Sequence, residues 1–260
     1  MFFKKLIEIN KSDFLNDKKK RFIRQKVLEG NIVVIRNHIK SKELRDIFKK
    51  LKKNPKFTKD TRMVEGVKNI CYRANQKGHG KYSTNDFSWY FFPWNKDRTG
   101  LMKKVKKTFR QVIKLNKYDP DKLYKNTPKD RLVLRAHVIY YPYKNGHISL
   151  HSDPTNVTNI TCGIYISSKK LDYDKGGFYV IDSDKKVCFV DHEINSGDMI
   201  LFYNGLYHGV KPTFKSKKNK NKDKINGRVF LNLSILESHE YKDREYTRGL
   251  KFNEIKSVSK

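Results

Sequence analysis

The chain has 260 residues, 37% hydrophobic and 13% aromatic, and its 58 Lys and Arg against 27 Asp and Glu give a formal net charge of +31. That composition suits a folded chain with a sizeable core and argues against disorder, despite 33% charged residues. No stretch approaches about 18 consecutive apolar residues, and "MFFKKLIEINKSDF" lacks an apolar run of secretory length, so neither a membrane span nor a leader is expected and the chain reads as cytoplasmic.

In chain order, the apolar spacing of Phe14, Leu15, Phe22, Ile23, Val27 and Leu28 predicts a helix over Asp13–Glu29, with Gly30 as its stop. "NIVVIRN" reads as a short strand. "SKELRDIFKKLKK" reads as a helix with Leu44, Ile47, Phe48 and Leu51 on one face and Ser41 as N-cap. Thr58–Trp94 has little periodicity, and its aromatic run "DFSWYFFPW" suits core packing better than a lid or substrate wall. Arg98–Lys117 is predicted helical, with Leu101, Val105, Phe109, Val112 and Ile113 inward. The second half changes character. "RLVLRAHVIYYP", "ITCGIYIS", "GGFYVIDS", "KVCFVD", "DMILFY" and "GRVFLNLSIL" are short β-rich segments between turns, the pattern of a sandwich or barrel. The Lys-rich run "KSKKNKNKDKING" interrupts this core before its last strand and reads as a loop.

The charge invites a polyanion partner, but 45 of the basic residues are Lys and only 13 are Arg, the residue suited to bidentate phosphate contacts. Nucleic acid is therefore the less favoured partner, and an anionic small substrate explains the charge at least as well. Cys71, Cys162 and Cys188 are far apart and form no CxxC pair, so they read as reduced thiols.

The stretch "GHISLHSDPTN" places His151 and Asp153 one residue apart at a strand end. On an extended strand positions i and i+2 project to the same side, so both can reach one ion while Ser152 points away. His208 follows the segment "DMILFY", and Arg228 opens the last β segment. Two imidazoles and one carboxylate on one face of an octahedral ion leave adjacent positions open, which suits Fe(II). His147 is read as exposed or supporting rather than as a ligand.

"RAHVIYYPYKNGHISLHSDPTNVTNI", "GGFYVIDSDKKVCFVDHEINSGDMILFYNG" and "YHGVKP…GRVFLNLS" resemble three blocks of the iron(II)/2-oxoglutarate-dependent oxygenase superfamily, isopenicillin-N-synthase-like or prolyl-hydroxylase-like. The likeness covers about residues 130 to 237. It implies a mainly β fold with flanking helices around a double-stranded β-helix, or jelly roll. The expected organisation is a single domain over 1–260: a mixed α/β extension (1–129), a jelly-roll core (130–237) holding the basic loop (215–227), and a C-terminal tail (238–260). The resemblance further implies that His151, Asp153 and His208 hold Fe(II). Arg228 would bind the distal carboxylate of the cosubstrate 2-oxoglutarate, with Tyr141 on the same group. Dioxygen would complete the reaction, and a C–H bond of a small molecule such as an amino acid or natural-product intermediate would be oxidised, with succinate and CO2 as co-products.

This sequence departs from the isopenicillin-N-synthase-like pattern at Ile139, where that branch has Asn, and at Phe230, where it often has Ser. Asp153 disfavours a halogenase. The alternatives are a nucleic-acid dealkylase, disfavoured by the lack of a second arginine soon after Arg228, and a peptidyl or protein hydroxylase. Desaturation and cyclisation remain open. Strand parity puts Arg135, His137, Ile139 and Tyr141 on one face, so Arg135 and His137 are candidate substrate residues. Arg73, Asn75 and Tyr82 are further candidates in the irregular region.

Overall fold

A computed structural model of the chain describes residues 1–53, 82–214, 225–251 and 254–255, together with the backbone of 71–73. The N-terminal part supplies β1 (Leu6–Ile9), α1 (Lys11–Leu15), α2 (Lys20–Leu28), β2 (Ile32–Ile35) and α3 (Ser41–Lys53). Next come β3 (Cys71–Arg73), β4 (Thr84–Asn85), β5 (Phe87–Phe91), α4 (Leu101–Leu115) and α5 (Pro120–Leu123). The β-rich half contributes β6 (Leu132–Pro142), β7 (His147–Ser152), β8 (Ile160–Tyr165), β9 (Lys175–Ile181) and β10 (Val187–Phe189). It continues with β11 (Met199–Tyr203), β12 (His208–Phe214), β13 (Gly227–Glu237) and β14 (Arg248–Gly249).

The helix over Ser41–Lys53 forms as expected, with Leu44, Ile47, Phe48 and Leu51 buried. The helix expected over Asp13–Glu29 is instead broken at Asn16. Its backbone is extended and its side chain accepts the Lys18 amide, so a short polar side chain outcompetes the helical ladder. The helix expected from Arg98 begins at Leu101. The Asp97 carboxylate takes the amides of Thr99 and Gly100 just before the helix and of Met102 in its first turn, while Thr99 Oγ1 takes that of Leu101.

Two sheets face each other. The major one runs β1-β2-β11-β8-β13-β6-β5-β3, and the minor one runs β10-β9-β12-β7-β14, with β4 also on β7. The jelly-roll expectation is met, with helices flanking one sheet. Alternation along β6 and β13 divides their side chains. Leu134, Ala136, Val138 and Tyr140, with Val229, Leu231, Leu233 and Ile235, pack in one core with residues of α2, α3 and α4. Tyr141 and Phe230 fall in the second core, between the sheets, with Tyr165, Phe178, Phe202 and Val210. Period two thus places Arg135, His137, Ile139 and Tyr141 on the inner face, as the sequence suggested. The strands of the N-terminal part extend the same major sheet: β2 pairs with β11 and β5 pairs with β6. Trp89 points to the helices while Tyr90 lines the inner face beside Val133, so most of the aromatic run is core.

Arg45 of α3 reaches the loop between β8 and β9, donating to both oxygens of Asp172 at 2.8 and 2.9 Å, and both side chains are buried. Asp172 also accepts the amides of Ser168 and Ile225. Removing one partner of a buried pair strands the other charge. We therefore expect Asp172→Ala to cost about 3–5 kcal/mol in urea unfolding.

His38 is buried with its Nε2 2.7 Å from Thr108 Oγ1, and burial, aided by the charge of Lys11, pushes its imidazole down to about 4. A histidine that protonates in the unfolded chain near 6.5 but in the folded one only near 4 stabilises the fold above that window. Its contribution is lost as pH falls through it. Unfolding free energy should drop between pH 6.5 and 4 with a slope that is one proton shallower in His38→Gln.

Candidate metal centre

The site forms where the minor sheet faces the interior. His208 opens β12 and lies directly opposite His151 of β7, an antiparallel pair, with a bulge immediately after His208. The two rings approach to 4.1 Å between centroids. Asp153 follows β7, and its Oδ2 stands 3.8 Å from His208 Nε2. The three ligand atoms all lie within 4.8 Å of one another, and no further such group of His, Cys, Asp and Glu occurs among the described residues.

Several features suit these residues to an ion. His151 Nδ1 lies 2.8 Å from the Ser149 carbonyl, and His208 Nδ1 lies 2.8 Å from the Leu206 carbonyl. A carbonyl only accepts, so each Nδ1 carries the proton and each Nε2 presents its lone pair to the interior. Burial, with the charge of neighbouring His151 second, pushes His208 down to about 4, so it is neutral and able to ligate at neutral pH. Asp153 accepts Thr247 Oγ1 at 2.9 Å through Oδ1, which leaves Oδ2 for the ion. Its amide donates to the Asn204 carbonyl, and the Asn204 side chain holds Pro154 and Thr158 in the turn that follows. Metal–nitrogen bonds of about 2 Å would draw the donors closer than they now stand, a side-chain adjustment within this frame.

Across the interior lies Arg228, 1% exposed and in register with Tyr141. Its Nε donates to Asp191 Oδ2 at 3.0 Å. Asp191 also accepts the hydroxyls of Tyr165 and Tyr173 and the Phe178 amide. Burial works against the arginine's charge, but the Asp191 carboxylate, together with Tyr165, Tyr173 and Tyr141, more than offsets it and the group stays cationic. Arg228 Nη2 is buried with no hydrogen-bond partner among the described residues. A free N–H on a buried guanidinium costs energy unless a ligand fills it, and a carboxylate has the matching acceptor geometry. Tyr141 is buried beside it, its phenol pushed far up by burial.

The remaining candidates separate. His137 stacks on Tyr90 at 4.3 Å, and its Nε2 lies 2.8 Å from Ser88 Oγ, which itself donates to Asp86. Arg135 stands over the Tyr90 ring at 5.5 Å. Tyr82 stacks on His151 with centroids 6.0 Å apart. The Arg73 backbone pairs with Ser88, but its side chain, like Asn75, lies outside the described residues. His147 is away from the trio, with Nδ1 near Asn145 and Nε2 near Ser83. Sequence reasoning missed Asp191, Asn204 and Thr247. Thr247 belongs to the C-terminal segment, which was expected only as a tail, yet β14 pairs with β7 at His151 and Ser152. Nothing local in the sequence marks these three, because each acts through residues distant in the chain: Arg228 lies 37 positions from Asp191, Thr158 46 from Asn204, and Asp153 94 from Thr247.

The chain's sequence matches no family model and no curated protein. Its structure is similar to solved ones. A protein from Shewanella oneidensis assigned as an oxygenase aligns over 93% of both chains at 14% identity with a TM-score of 0.55. A Pseudomonas putida prolyl-4-hydroxylase aligns over 82% of this chain and 97% of its own at 12% identity, with a TM-score of 0.53. A prolyl hydroxylase from Trichoplax adhaerens, solved with a hypoxia inducible factor peptide fragment, aligns over 96% and 94% at 13% identity, with a TM-score of 0.51. The chain therefore shares the overall fold of these solved structures.

The Thr247 bond to Asp153 gives a direct expectation. Thr247→Val should weaken Fe(II) or Mn(II) binding by about 10- to 100-fold in calorimetry while the fold survives, the usual penalty for loosening a ligand's outer support.

Proposed function

We propose that the chain is an Fe(II)- and 2-oxoglutarate-dependent oxygenase that hydroxylates a C–H bond of a small, anionic molecule. The observation that carries this reading is the fully buried Nη2 of Arg228, without a hydrogen-bond partner among the described residues, in the same interior as the converging His151, Asp153 and His208. A metal trio alone would suit many reactions. A trio that faces the same interior as a buried guanidinium with a free N–H suits one whose cosubstrate is a dicarboxylate reaching the ion with one end.

In this reading the bound ion, 2-oxoglutarate and O2 together supply the oxidation, giving succinate, CO2 and a hydroxylated substrate. The protein's own residues hold and orient. Arg228, fixed by Asp191, receives the distal carboxylate, and Tyr141 stands beside it. Phe178 and Phe202, whose rings lie 5.8 and 5.2 Å from His208, keep water from the interior. The neutral imidazoles donate through Nε2 without losing a proton. Nucleic-acid dealkylation is less supported: after Arg228 the inner face of β13 carries Phe230, Asn232 and Ser234 rather than a second arginine.

The test uses protein purified without oxygen. The wild type loaded with Mn(II) should bind 2-oxoglutarate, and with Fe(II) and air it should release succinate. Arg228→Ala should keep the metal but weaken 2-oxoglutarate by about 10- to 150-fold, the loss of about 1.5–3 kcal/mol for a charged hydrogen bond. Equal affinity in both proteins would sink the assignment of Arg228. No 2-oxoglutarate binding by the wild type would sink the oxygenase reading itself.

A further inference from the structure

The inner face of the β6–β13 pair carries a second cationic group that the cosubstrate does not use. Arg135 lies six residues from Tyr141 on the same strand, about 20 Å along an extended backbone. Tyr141 is the register partner of Arg228, and Ser234 is the partner of Arg135. A dicarboxylate seated on Arg228 therefore leaves Arg135 free for another ligand. The Nε of Arg135 is buried with no hydrogen-bond partner among the described residues. Between the two arginines, Asn232 lies opposite His137, and its Oδ1 is likewise buried and unpartnered. Among the described residues, one donor and one acceptor are thus left open on one face of the β6–β13 pair. Buried polar groups of this kind call for a partner.

The charges facing Arg135 come from several elements. Asp153 and the phenols of Tyr82 and Tyr90 favour its cation, whereas burial opposes it. Asp153 belongs to the metal trio. The remaining group is a like charge. Arg244, on the C-terminal segment, is held below the usual arginine range by burial first and by Arg135 next. Arg244 is steadied by His239 Nδ1 at 2.7 Å and by the Tyr246 ring at 5.2 Å. Three residues further on, Thr247 is bonded to the metal-site carboxylate itself. The segment that bonds Asp153 through Thr247 thus also carries a guanidinium that feels Arg135 as a like charge. An anion lying between them would offset that repulsion.

We propose that Arg135 and Arg244 anchor the carboxylate of the substrate and that Asn232 accepts its adjoining N–H, so that the substrate is an α-amino acid with a free carboxylate. This deepens the oxygenase reading above and rests on it. Guanidinium forks match a planar carboxylate, and an amide oxygen matches an ammonium donor. Tyr82, stacked on His151, and Tyr90, under Arg135, then wall the substrate side chain next to the ion.

The experiment has two stages on the full chain loaded with Mn(II). The first titrates 2-oxoglutarate into the wild type, Arg135→Gln, Arg135→Lys and Arg244→Gln. The second titrates the twenty common L-amino acids and their carboxamides into each 2-oxoglutarate complex, with succinate release measured in parallel on the Fe(II) forms. We expect at least one amino acid to bind the wild type and raise succinate release, and its carboxamide to bind at least about ten-fold more weakly. Each Gln variant should lose at least about ten-fold in amino-acid affinity at unchanged 2-oxoglutarate affinity, and Arg135→Lys should recover part of the loss. The proposal is overturned if no amino acid binds, if acid and carboxamide bind alike, or if the Gln variants bind as the wild type does. A wild type that fails the first stage removes the oxygenase reading, and the proposal with it.

Discussion

The interior of this protein is organised around one buried charge pair. Arg228 is almost completely removed from solvent, and Asp191, 3.0 Å away, is the chief partner that holds a cation there. Asp191 in turn draws in Tyr165 from β8, Tyr173 from the following loop and the Phe178 amide of β9. Three strands drawn from both sheets and one loop thus converge on one carboxylate. The backbone makes room for it: a Cβ on Gly177 would stand 2.1 Å from Asp191 Oδ2, and the residue has a positive φ of 96°. The glycine pair reads locally as turn chemistry, but Gly177 also clears the space in which the charge pair is built.

That arrangement divides the work between the sheets. The major sheet presents the cations, Arg228 at one end of its inner face and Arg135 at the other. The minor sheet presents the imidazoles as an antiparallel couple. Between them the aromatic rings of Phe178, Phe202 and Phe230 fill the interior. Phe230 also explains a departure in the sequence. It stands where a related branch often has serine, and Gly163 lies across from it, where any Cβ would fall 1.6 Å from its ring. A large residue on β13 and an empty one on β8 form a matched pair, so the change is packed rather than merely tolerated.

The C-terminal segment shows how far local reading extends. It carries no strong periodicity, and a two-residue strand such as β14 leaves almost none to find. Its role comes from register with β7, which brings Thr247 to Asp153. The split of the first long helix at Asn16 has a similar origin. An apolar spacing that fits a helix says nothing about whether an asparagine side chain will take the next free amide.

The sequence by itself determined the features that depend on short-range geometry. Period two on a strand put His151 and Asp153 on one side and aligned Arg135 with Tyr141. Apolar spacing defined α3 and the body of α4, and regular short β segments implied two facing sheets. Tertiary structure alone decided which strands lie side by side. The pairing of β12 with β7 sets His208 opposite His151, the turn at Asp191 carries that residue to Arg228, and the segment entering β14 brings Thr247 to Asp153. These contacts join residues separated by 37 to 94 positions. Their energy is realised only once the sheets have closed, so no local pattern in the chain records them.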